Sequence, residues 1–387
     1  MKVTELTTAR LVSSESLADA ALLDAISHQQ QIALQFSDMD VTEKQRIVQL
    51  LGNLDAAVAM PTPNTVQALV REAGMPVLQQ QLRRQFADTA LGDETASIQQ
   101  QHEVHWRAGR FDFNITKTPL IYGILNVSPD SFYDGGRYHD MDSVLKRAGE
   151  FAAAGVPVVE IGGQTTRPNF TEITPSEEID RVIPYIRAIK SAYPKLGIAV
   201  DTYKLPVMRA VLDEGVDIIN DVNAFTDDPG KLPLLASSSV GLLTMHESRA
   251  REYANLTAAM RDFFKTNLAA LANAGIDEQR IALDEGIGYA KVADGYQDFT
   301  MMRNINQFLP FKRPIMVAIS RKGFGHKLFG LAKEDRLSVT LIAEAYMYLH
   351  GGRILRVHDI EETKQLVTLL NTIESSYWFP DRTELQQ

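Results

Sequence analysis

Polar and charged residues stand at the ends of eight short apolar runs in the second part of the chain. Carboxylates and carboxamides can hydrogen-bond the edge of a flat polar heterocycle, while Arg and Lys side chains bind anions. The pattern therefore predicts a site for a polar heterocycle that carries an anionic group. The residues concerned are Asn126, Gly162 and Gly163 with Thr166 and Arg167 after them, Asp201, Asn220, Met245 with His246, Asp284, Ser320 with Arg321 and Lys322, and Arg356 with His358.

Each of these residues has a simpler explanation when it is considered alone. Asp201 could serve only as a helix cap, because Asp, Asn and Ser commonly cap helices. His246 is interpreted as a wall of the site rather than as a catalyst. The recurrence of polar residues at seven or eight equivalent places nevertheless favours one shared site.

The apolar runs alternate with helical stretches, which predicts repeated strand and helix units. The runs are IYGILN, VPVVEI, LGIAVD, VDIIN, VGLLTMH, RIALD, RPIMVAIS and GRILRVH. Their continuous apolar character is typical of parallel strands buried on both faces. Eight units over roughly 250 residues predict an α/β fold with a (β/α)8 TIM barrel, whose catalytic groups lie at the carboxyl ends of the strands. A doubly wound open sheet is the alternative, but the near-equal units and the lack of a GxGxxG motif favour the barrel.

The first part of the chain lacks the regular alternation of apolar runs and helical stretches. We therefore expect a small α/β N-terminal module of unknown role over residues 1–110, followed by the barrel over 111–380. QIALQF alternates like a strand, and FDFNI at 111–115 reads as a strand of a short hairpin. Residues 64–74 are expected to form a helix and the polar stretch 88–105 a linker.

Composition excludes several classes of protein. With 45% hydrophobic and 23% charged residues, the 387-residue chain has an ordinary globular composition. Its net charge of −10 argues against nucleic-acid or anionic-membrane binding. No apolar stretch approaches a membrane span and no signal peptide is visible. Zero cysteines exclude thiolate catalysis and fit a reducing compartment, so a cytoplasmic location is expected.

The motifs at the strand ends resemble those of dihydropteroate synthase, a family of pterin-binding barrels. The resemblance covers residues 119 to about 375 and rests on motifs that occur in order and at plausible spacing. They are GILNVSPDSFYDGG, EIGGQTTRPN, VDT, IINDV, LLTMH, LDEGIGYAK, ISRKGF and RVHD. It implies the condensation of 6-hydroxymethyl-7,8-dihydropterin diphosphate with 4-aminobenzoate in folate biosynthesis. The N-terminal region is similar to an extension found in some bacterial members.

The resemblance also implies a role for each matching residue. The catalytic residues would be Asp201, Lys322, Arg356 and Arg167. The pterin would be bound by Asp201, Asn220, Met245, Asp284, Gly288, Lys322 and Arg356, and the diphosphate by Asn126, Thr166, Arg356 and His358. The 4-aminobenzoate and the closing loops would involve Phe132, Asp134, Arg167, Pro168 and Gly323. Mg²⁺ is the implied cofactor, bridging diphosphate oxygens and Asn126.

The sequence departs from the family pattern at three places. Glu285 replaces a usual Pro after Asp284, and we expect its side chain to point to solvent or to a cation. Gly323 replaces a usual Ser that helps to bind the aminobenzoate carboxylate, although a helix N-terminus could still bind that anion. Gln164 and Asn169 stand where Glu and Gly are usual, but Arg167 and Pro168 are retained.

Two other functions remain open at this point. A methyltetrahydrofolate-type methyltransferase uses the same pterin pocket, but it would not explain Phe132, Arg167 or the anion-binding strand ends. A degenerate barrel that binds pterin or acts as a scaffold is the non-enzyme alternative. The resemblance further implies a sulfonamide target and a homodimer, for which RLSVTLIAEAYMYL offers an apolar face that could equally be core.

Overall fold

The computed structural model describes residues 1–6, 26, 28–86, 90–127, 140–165, 171–247, 253–289 and 296–379. The chain divides into two compact units, Met1–Glu103 with Thr368–Gln387, and Val104–Val367. These boundaries differ from the expected division at residues 110 and 380. The hairpin after residue 103 belongs to the second unit, and Tyr377 and Phe379 pack in the core of the first.

The first unit contains a four-stranded antiparallel sheet in which Gln31–Ser37 pairs with Lys2–Glu5 on one side and with Thr65–Arg71 on the other, and Ala57–Thr62 forms the far edge next to Thr65–Arg71. Its strands are β1 (Lys2–Glu5), β2 (Gln31–Ser37), β3 (Ala57–Thr62) and β4 (Thr65–Arg71). Its helices are α1 (Val41–Asn53), α2 (Met75–Gln85) and α3 (Ala90–Gln101), with a 3-10 turn at Glu72–Gly74. The predicted strand QIALQF is therefore confirmed, and Ile32, Leu34 and Phe36 from it are buried in the core of this unit.

Two expectations for this unit were wrong. Residues 65–71 form strand β4 instead of a helix, because Val66, Ala68 and Val70 alternate and all three are buried. Most of the expected linker at 88–105 is helix α3, which buries Leu91 and Ile98 in spite of its polar composition. A stretch rich in Gln can therefore form a packed helix when two or three apolar residues lie on one face.

The second unit is a closed barrel of eight parallel strands, as predicted. The strands are β7 (Leu120–Asn126), β8 (Val158–Gly162), β9 (Gly197–Asp201), β10 (Ile218–Asp221), β11 (Gly241–Met245), β12 (Ile281–Asp284), β13 (Ile315–Val317) and β14 (Ile354–Val357). Strand β14 pairs with β7 and closes the barrel. Nearly all strand residues are buried, which explains why the sequence shows continuous apolar runs instead of alternation.

Helices follow the strands of the barrel, and the last of them begins in the second unit and ends in the first, which the chain enters at Thr368. They are α4 (Met141–Ala153), α5 (Pro175–Ala192), α6 (Leu205–Asp213), α7 (Lys231–Ala236), α8 (Leu256–Asn273), α9 (Tyr296–Arg303), α10 (Phe324–Phe329), α11 (Leu337–Leu349) and α12 (Ile360–Glu374). Further 3-10 segments are Glu278–Arg280, Ile305–Phe311 and Lys333–Arg336. Within the described ranges, no helix is long and apolar enough to cross a membrane.

A hairpin of β5 (His105–Ala108) and β6 (Phe111–Asn114) covers the amino-terminal end of the barrel. Trp106 is fully buried there and its indole Nε1 donates to the Arg280 carbonyl oxygen at 2.9 Å. It packs in one cluster with residues from the barrel strands, including Leu243 and Ala282. The hairpin predicted from FDFNI is confirmed. The polar residues that end the strands lie at the opposite, carboxyl-terminal end of the barrel.

Candidate active site

Strand register brings the predicted polar residues to one end of the barrel. Asn126 on β7 is level with Gly162 on β8, and Gly162 is level with Asp201 on β9. Asp201 is in turn level with Asn220 on β10. Because neighbouring parallel strands are about 4.8 Å apart, these side chains share one rim. Met245 and Asp284 are likewise paired, on β11 and β12.

The centre of the rim is an ion pair between Arg356 and Glu160. Glu160 lies on β8 and is 1% exposed. The Arg356 guanidinium donates from Nε to Glu160 Oε1 at 2.7 Å and also from Nη2 to the same oxygen. Tyr122 Oη and Asn220 Nδ2 donate to Glu160 Oε2 at 3.0 and 3.2 Å. Such a buried carboxylate is costly unless it is paired and hydrogen-bonded, and here both oxygens have partners.

Sequence reasoning assigned no role to Glu160 or to Tyr122. A signal was present, since Glu160 is a charged residue inside the otherwise apolar run VPVVEI. Charged residues are rarely fully buried unless they have a partner, so this position indicated an internal ion pair. Burial, and to a smaller extent the charge of Glu160, raises the pKa of the Tyr122 phenol. The phenol therefore stays neutral and can donate its hydrogen bond to Glu160.

Asp201 and Asn220 offer unused hydrogen-bonding capacity at this rim. Asp201 Oδ2 accepts from Arg356 Nη2 at 3.2 Å, whereas Asp201 Oδ1 and Asn220 Oδ1 are buried without a hydrogen-bond partner within the described residues. Burial and the charge of Glu160 raise the pKa of Asp201 to about 8. Buried acceptors without donors are costly in a folded protein, so their presence here indicates a place for a ligand with N–H groups.

Asp284 and Lys322 are two further buried ionisable residues at this rim, and their charges interact. Burial raises the pKa of Asp284, and the Lys322 ammonium opposes that shift. Burial also lowers the pKa of Lys322 to about 8. Lys322 Nζ donates to the Ile287 carbonyl oxygen and lies 5.3 Å from the centre of the Tyr289 ring. Gly288 makes room for this side chain, because a Cβ there would lie 2.9 Å from Lys322 Cδ and its φ is +92°.

Asn126 lies at the rim over Gly162. Its Oδ1 is 2.9 Å from the point that a Cβ on Gly162 would occupy, so a larger residue at 162 would displace the carboxamide. Asn126 is half-buried at the end of β7. A side-chain oxygen in this position suits Mg²⁺, which binds a few protein oxygens beside phosphate and keeps several waters.

His358 is buried next to the end of β13. Ser320 Oγ lies 2.9 Å from His358 Nδ1. Burial, followed by the charges of Arg356 and Arg321, lowers the pKa of His358 well below its usual value, so the imidazole is neutral. Arg321 forms a two-pronged ion pair with Asp359, at 2.7 Å for each hydrogen bond.

A buried lysine holds together the two ends of the chain segment after β8. Lys204 Nζ donates to Gln164 Oε1 at 2.8 Å and to the Ile173 carbonyl oxygen at 2.5 Å, and it pairs with Glu178 at 2.9 Å. Gln164 Oε1 also accepts from the Ile173 backbone N–H at 2.8 Å. Gln164, where the family pattern has Glu, therefore serves as a neutral partner of Lys204, whose charge Glu178 balances.

The expectation for Glu285 was wrong. Glu285 is 1% exposed, and within the described residues neither of its carboxyl oxygens has a hydrogen-bond partner. Burial, reinforced by the neighbouring Asp284, raises the pKa of Glu285 well above its usual value. The side chain therefore points neither to solvent nor to a cation, and its raised pKa favours the neutral acid over a second carboxylate.

Two of the remaining predicted residues, His246 and Gly323, lie within the described ranges, and the others do not. His246 packs edge-on against Phe263, with ring centres 5.0 Å apart, which supports a wall residue. Gly323 precedes α10 and has no atom within 4 Å of an added Cβ, so a side chain fits there. Phe132, Asp134, Thr166, Arg167, Pro168 and Asn169 lie outside the described residues.

Comparisons with known proteins agree with this geometry. Residues 122–358 match the family described as pterin binding enzyme. A dihydropteroate synthase of Streptococcus pyogenes is 34% identical over 263 residues, which cover 67% of this chain and 98% of that protein.

Two solved structures show the same similarity. One is a Yersinia pestis dihydropteroate synthase with a sulfonamide drug complex, with a TM-score of 0.66, 28% identity and coverage of 70% of this chain and 100% of that one. The other is a Burkholderia cenocepacia dihydropteroate synthase complexed with 7,8-dihydropteroate, with a TM-score of 0.61, 29% identity and coverage of 70% and 97%. The chain therefore belongs to the pterin-binding enzyme family, and within that family its relatives are dihydropteroate synthases.

Proposed function

We propose that the chain condenses 6-hydroxymethyl-7,8-dihydropterin diphosphate with 4-aminobenzoate to give 7,8-dihydropteroate and diphosphate. The observation that carries this proposal is the pair of buried, unsatisfied acceptors on Asp201 and Asn220 beside a cationic Arg356. Such a rim suits a ring with several N–H donors that carries an anionic leaving group. Folate biosynthesis is the pathway in which this product is used.

The pterin would occupy the space between the two carboxyl groups of Asp201 and Asp284. A carboxylate can pair with the amino-pyrimidinone edge as it pairs with a guanidinium. Lys322 would contact the ring oxygen and N5, and Arg356 would lie over the ring face while Glu160 holds its guanidinium in place. Met245 and Gly288 would line the pocket.

The reaction breaks the C–O bond between the pterin methylene and the diphosphate. The bonding electrons leave with the diphosphate, and the amine of 4-aminobenzoate then forms a C–N bond with the methylene and loses a proton. Stabilisation of the leaving group and positioning contribute most of the catalysis in such a reaction. Asn126, Arg356 and His358 would bind the diphosphate, and the family resemblance adds Thr166.

Mg²⁺ is the proposed cofactor, and Asn126 is the residue that would hold it. When bound, the metal would neutralise charge on the diphosphate oxygens. Phe132, Asp134, Arg167 and Pro168 would enclose the 4-aminobenzoate, with Gly323 near its carboxylate. These assignments rest on the family resemblance of the motifs.

A homodimer and sulfonamide binding belong to the same proposal. Ile342, Tyr346 and Leu349 form an exposed apolar face on α11, with Ile342 71% exposed, which supports contact with a second copy. Sulfonamides would compete with 4-aminobenzoate. The cysteine-free sequence supports a reducing, cytoplasmic environment.

Diphosphate release by the purified protein tests the proposal. The protein would be assayed with Mg²⁺ and the pterin diphosphate, with and without 4-aminobenzoate. Release that depends on 4-aminobenzoate and yields 7,8-dihydropteroate is the expected result. An Arg356→Lys variant should lose most of this activity because Lys cannot reproduce the two-pronged contacts. Arg107→Lys, at the other end of the barrel where Arg107 pairs with Asp277 at 3.2 Å, is the matched control.

Pterin binding without product in either condition would contradict the proposal and would indicate the degenerate binding barrel instead. A methyl transfer to or from a corrinoid, without diphosphate chemistry, would point to the methyltransferase. EDTA should abolish release and added Mg²⁺ should restore it. Activity that persists in EDTA would contradict the metal assignment.

A further inference from the structure

The ends of β13 and β14 are joined by two separate polar contacts. Ser320 lies 2.9 Å from His358 Nδ1 and also accepts from the His358 backbone N–H at 3.2 Å. Arg321 donates to both carboxylate oxygens of Asp359 at 2.7 Å. Two consecutive residues after one strand therefore bind two consecutive residues after the next, which fixes the distance between the strand ends.

The backbone turns at Arg321, so that the side chains of Ser320 and Lys322 contact different partners. Arg321 has a φ of +52°, a left-handed conformation that non-glycine residues adopt only when surrounding contacts hold them. Its backbone N–H donates to Thr340 Oγ1 at 3.1 Å and its Nη1 donates to the Glu334 carbonyl oxygen at 2.6 Å. These contacts fix the turn, so that Ser320 is oriented toward His358 while Lys322 reaches Ile287.

The hydrogen bonds of Ser320 indicate which nitrogen of His358 carries the proton. A serine hydroxyl has one hydrogen to donate and two lone pairs to accept with. One lone pair already accepts from the His358 backbone N–H. If Nδ1 were protonated, the hydroxyl would accept a second time and its own hydrogen would have no acceptor among the described residues. If Nδ1 is the acceptor, the Ser320 hydroxyl donates its hydrogen to Nδ1 while it accepts from the His358 backbone N–H.

We infer that Ser320 is a positioning residue that holds the imidazole of His358 as the Nε2–H tautomer. His358 is 6% exposed, and the lowered pKa described above favours its neutral form. The Nε2–H then serves as a neutral hydrogen-bond donor to the anionic group of the substrate, and this last step rests on the proposed function. Arg321 contributes indirectly by holding Ser320 and Asp359 in register.

The tautomer can be measured without substrate by ¹⁵N NMR of histidine-labelled protein. The chain has eight histidines, and a His358→Gln variant identifies the relevant signals by their loss. In the wild type we expect an unprotonated Nδ1 and a protonated Nε2 at neutral pH. A Ser320→Ala variant should lose this preference, whereas Ser320→Thr, which retains the hydroxyl, should preserve it.

Kinetics provide the second readout. Loss of one oriented hydrogen bond should raise the KM for the pterin diphosphate about fivefold to tenfold in Ser320→Ala, with a smaller change in kcat. Ser320→Thr should restore the KM. Ser238→Ala is the matched control, because its hydroxyl bonds the Leu235 carbonyl oxygen at 2.9 Å, before β11 begins at the opposite end of the barrel.

The wild-type spectrum alone can overturn the inference, whether or not Ser320→Ala folds. A protonated Nδ1 or an imidazolium at neutral pH would refute it, as would an unchanged tautomer in a folded Ser320→Ala variant. If the wild type shows the expected tautomer but makes no dihydropteroate, the proposed function fails and the assignment of Ser320 stands.

Discussion

The buried acid Glu285 should make the barrel less stable as the pH rises. Glu285 has no hydrogen-bond partner within the described residues, and burial raises its pKa. In the unfolded chain this carboxyl loses its proton near its ordinary pKa, given as 4.5, while the folded protein keeps it. Its contribution to stability is therefore fully present below that pH and is lost progressively as the pH rises toward the folded-state pKa.

The magnitude follows from one proton that is bound only in the folded state. The free energy of unfolding should fall by about 1.4 kcal/mol for each pH unit between the two pKa values. In Glu285→Gln this dependence disappears, so the variant should gain on the wild type by that amount for each pH unit from about pH 5 up to the folded-state pKa of Glu285. Glu285→Met should also lack this pH dependence. Its free energy of unfolding should in addition exceed that of the wild type by about 1–3 kcal/mol at every pH, because an unsatisfied polar group has been removed.

Urea unfolding from about pH 5 to about pH 8 is the assay, with fluorescence of the buried Trp106 as the probe. Trp378 is replaced by Phe in every variant, because the chain has two tryptophans and Trp378 is 75% exposed. Glu361→Gln, which alters a side chain that is 64% exposed, is the matched control. A stability difference that stays flat over this pH range would refute the argument and would mean that Glu285 is ionised and has a partner.

Three further predictions concern activity, each measured by steady-state kinetics. Glu160→Gln should lower kcat/KM because it removes the partner that holds the Arg356 guanidinium, and it should also destabilise the fold by about 3–5 kcal/mol. The control Glu150→Gln, whose side chain is 48% exposed, should leave kcat/KM unchanged. Equal values for both variants would show that Arg356 needs no anchor. Gly323→Ser should lower the KM for 4-aminobenzoate about fivefold through a new hydrogen bond, and an unchanged KM would exclude that contact. Burial lowers the pKa of Lys322 to about 8, so kcat/KM for the pterin substrate should fall above that pH as the ammonium loses its proton. In Lys322→Arg, whose side chain stays charged, kcat/KM should no longer fall over this pH range; a fall that persists would show that another group is responsible.

Much of the barrel could be predicted because its strands leave a direct pattern in the sequence. Strands buried on both faces give uninterrupted apolar runs, and the polar residue that ends each run marks the carboxyl end. Asp201 and Asn220 were located by this reasoning, and strand register alone brings them together. The choice between the barrel and an open sheet rested on the number and similarity of the units and on the lack of a GxGxxG motif.

Other features depend on contacts that the local sequence does not specify. The alternation of Val66, Ala68 and Val70 in β4 is too short to be distinguished from one helical face. The burial of Glu285 depends on tertiary structure, so its charged residue type suggested exposure whereas the residue is 1% exposed. The partner of Arg356, Glu160, lies 196 residues away in sequence and becomes visible only in the folded barrel.

The position of Tyr377 and Phe379 in the core of the first unit has a consequence for synthesis of the protein. The first unit is built from both ends of the described chain, so in sequence the barrel is an insertion within it. During translation, residues 1–103 leave the ribosome first, yet their core lacks two aromatic residues until the whole barrel has been made. We therefore expect the barrel to complete its folding before the unit that precedes it in sequence, contrary to the usual order from the amino terminus.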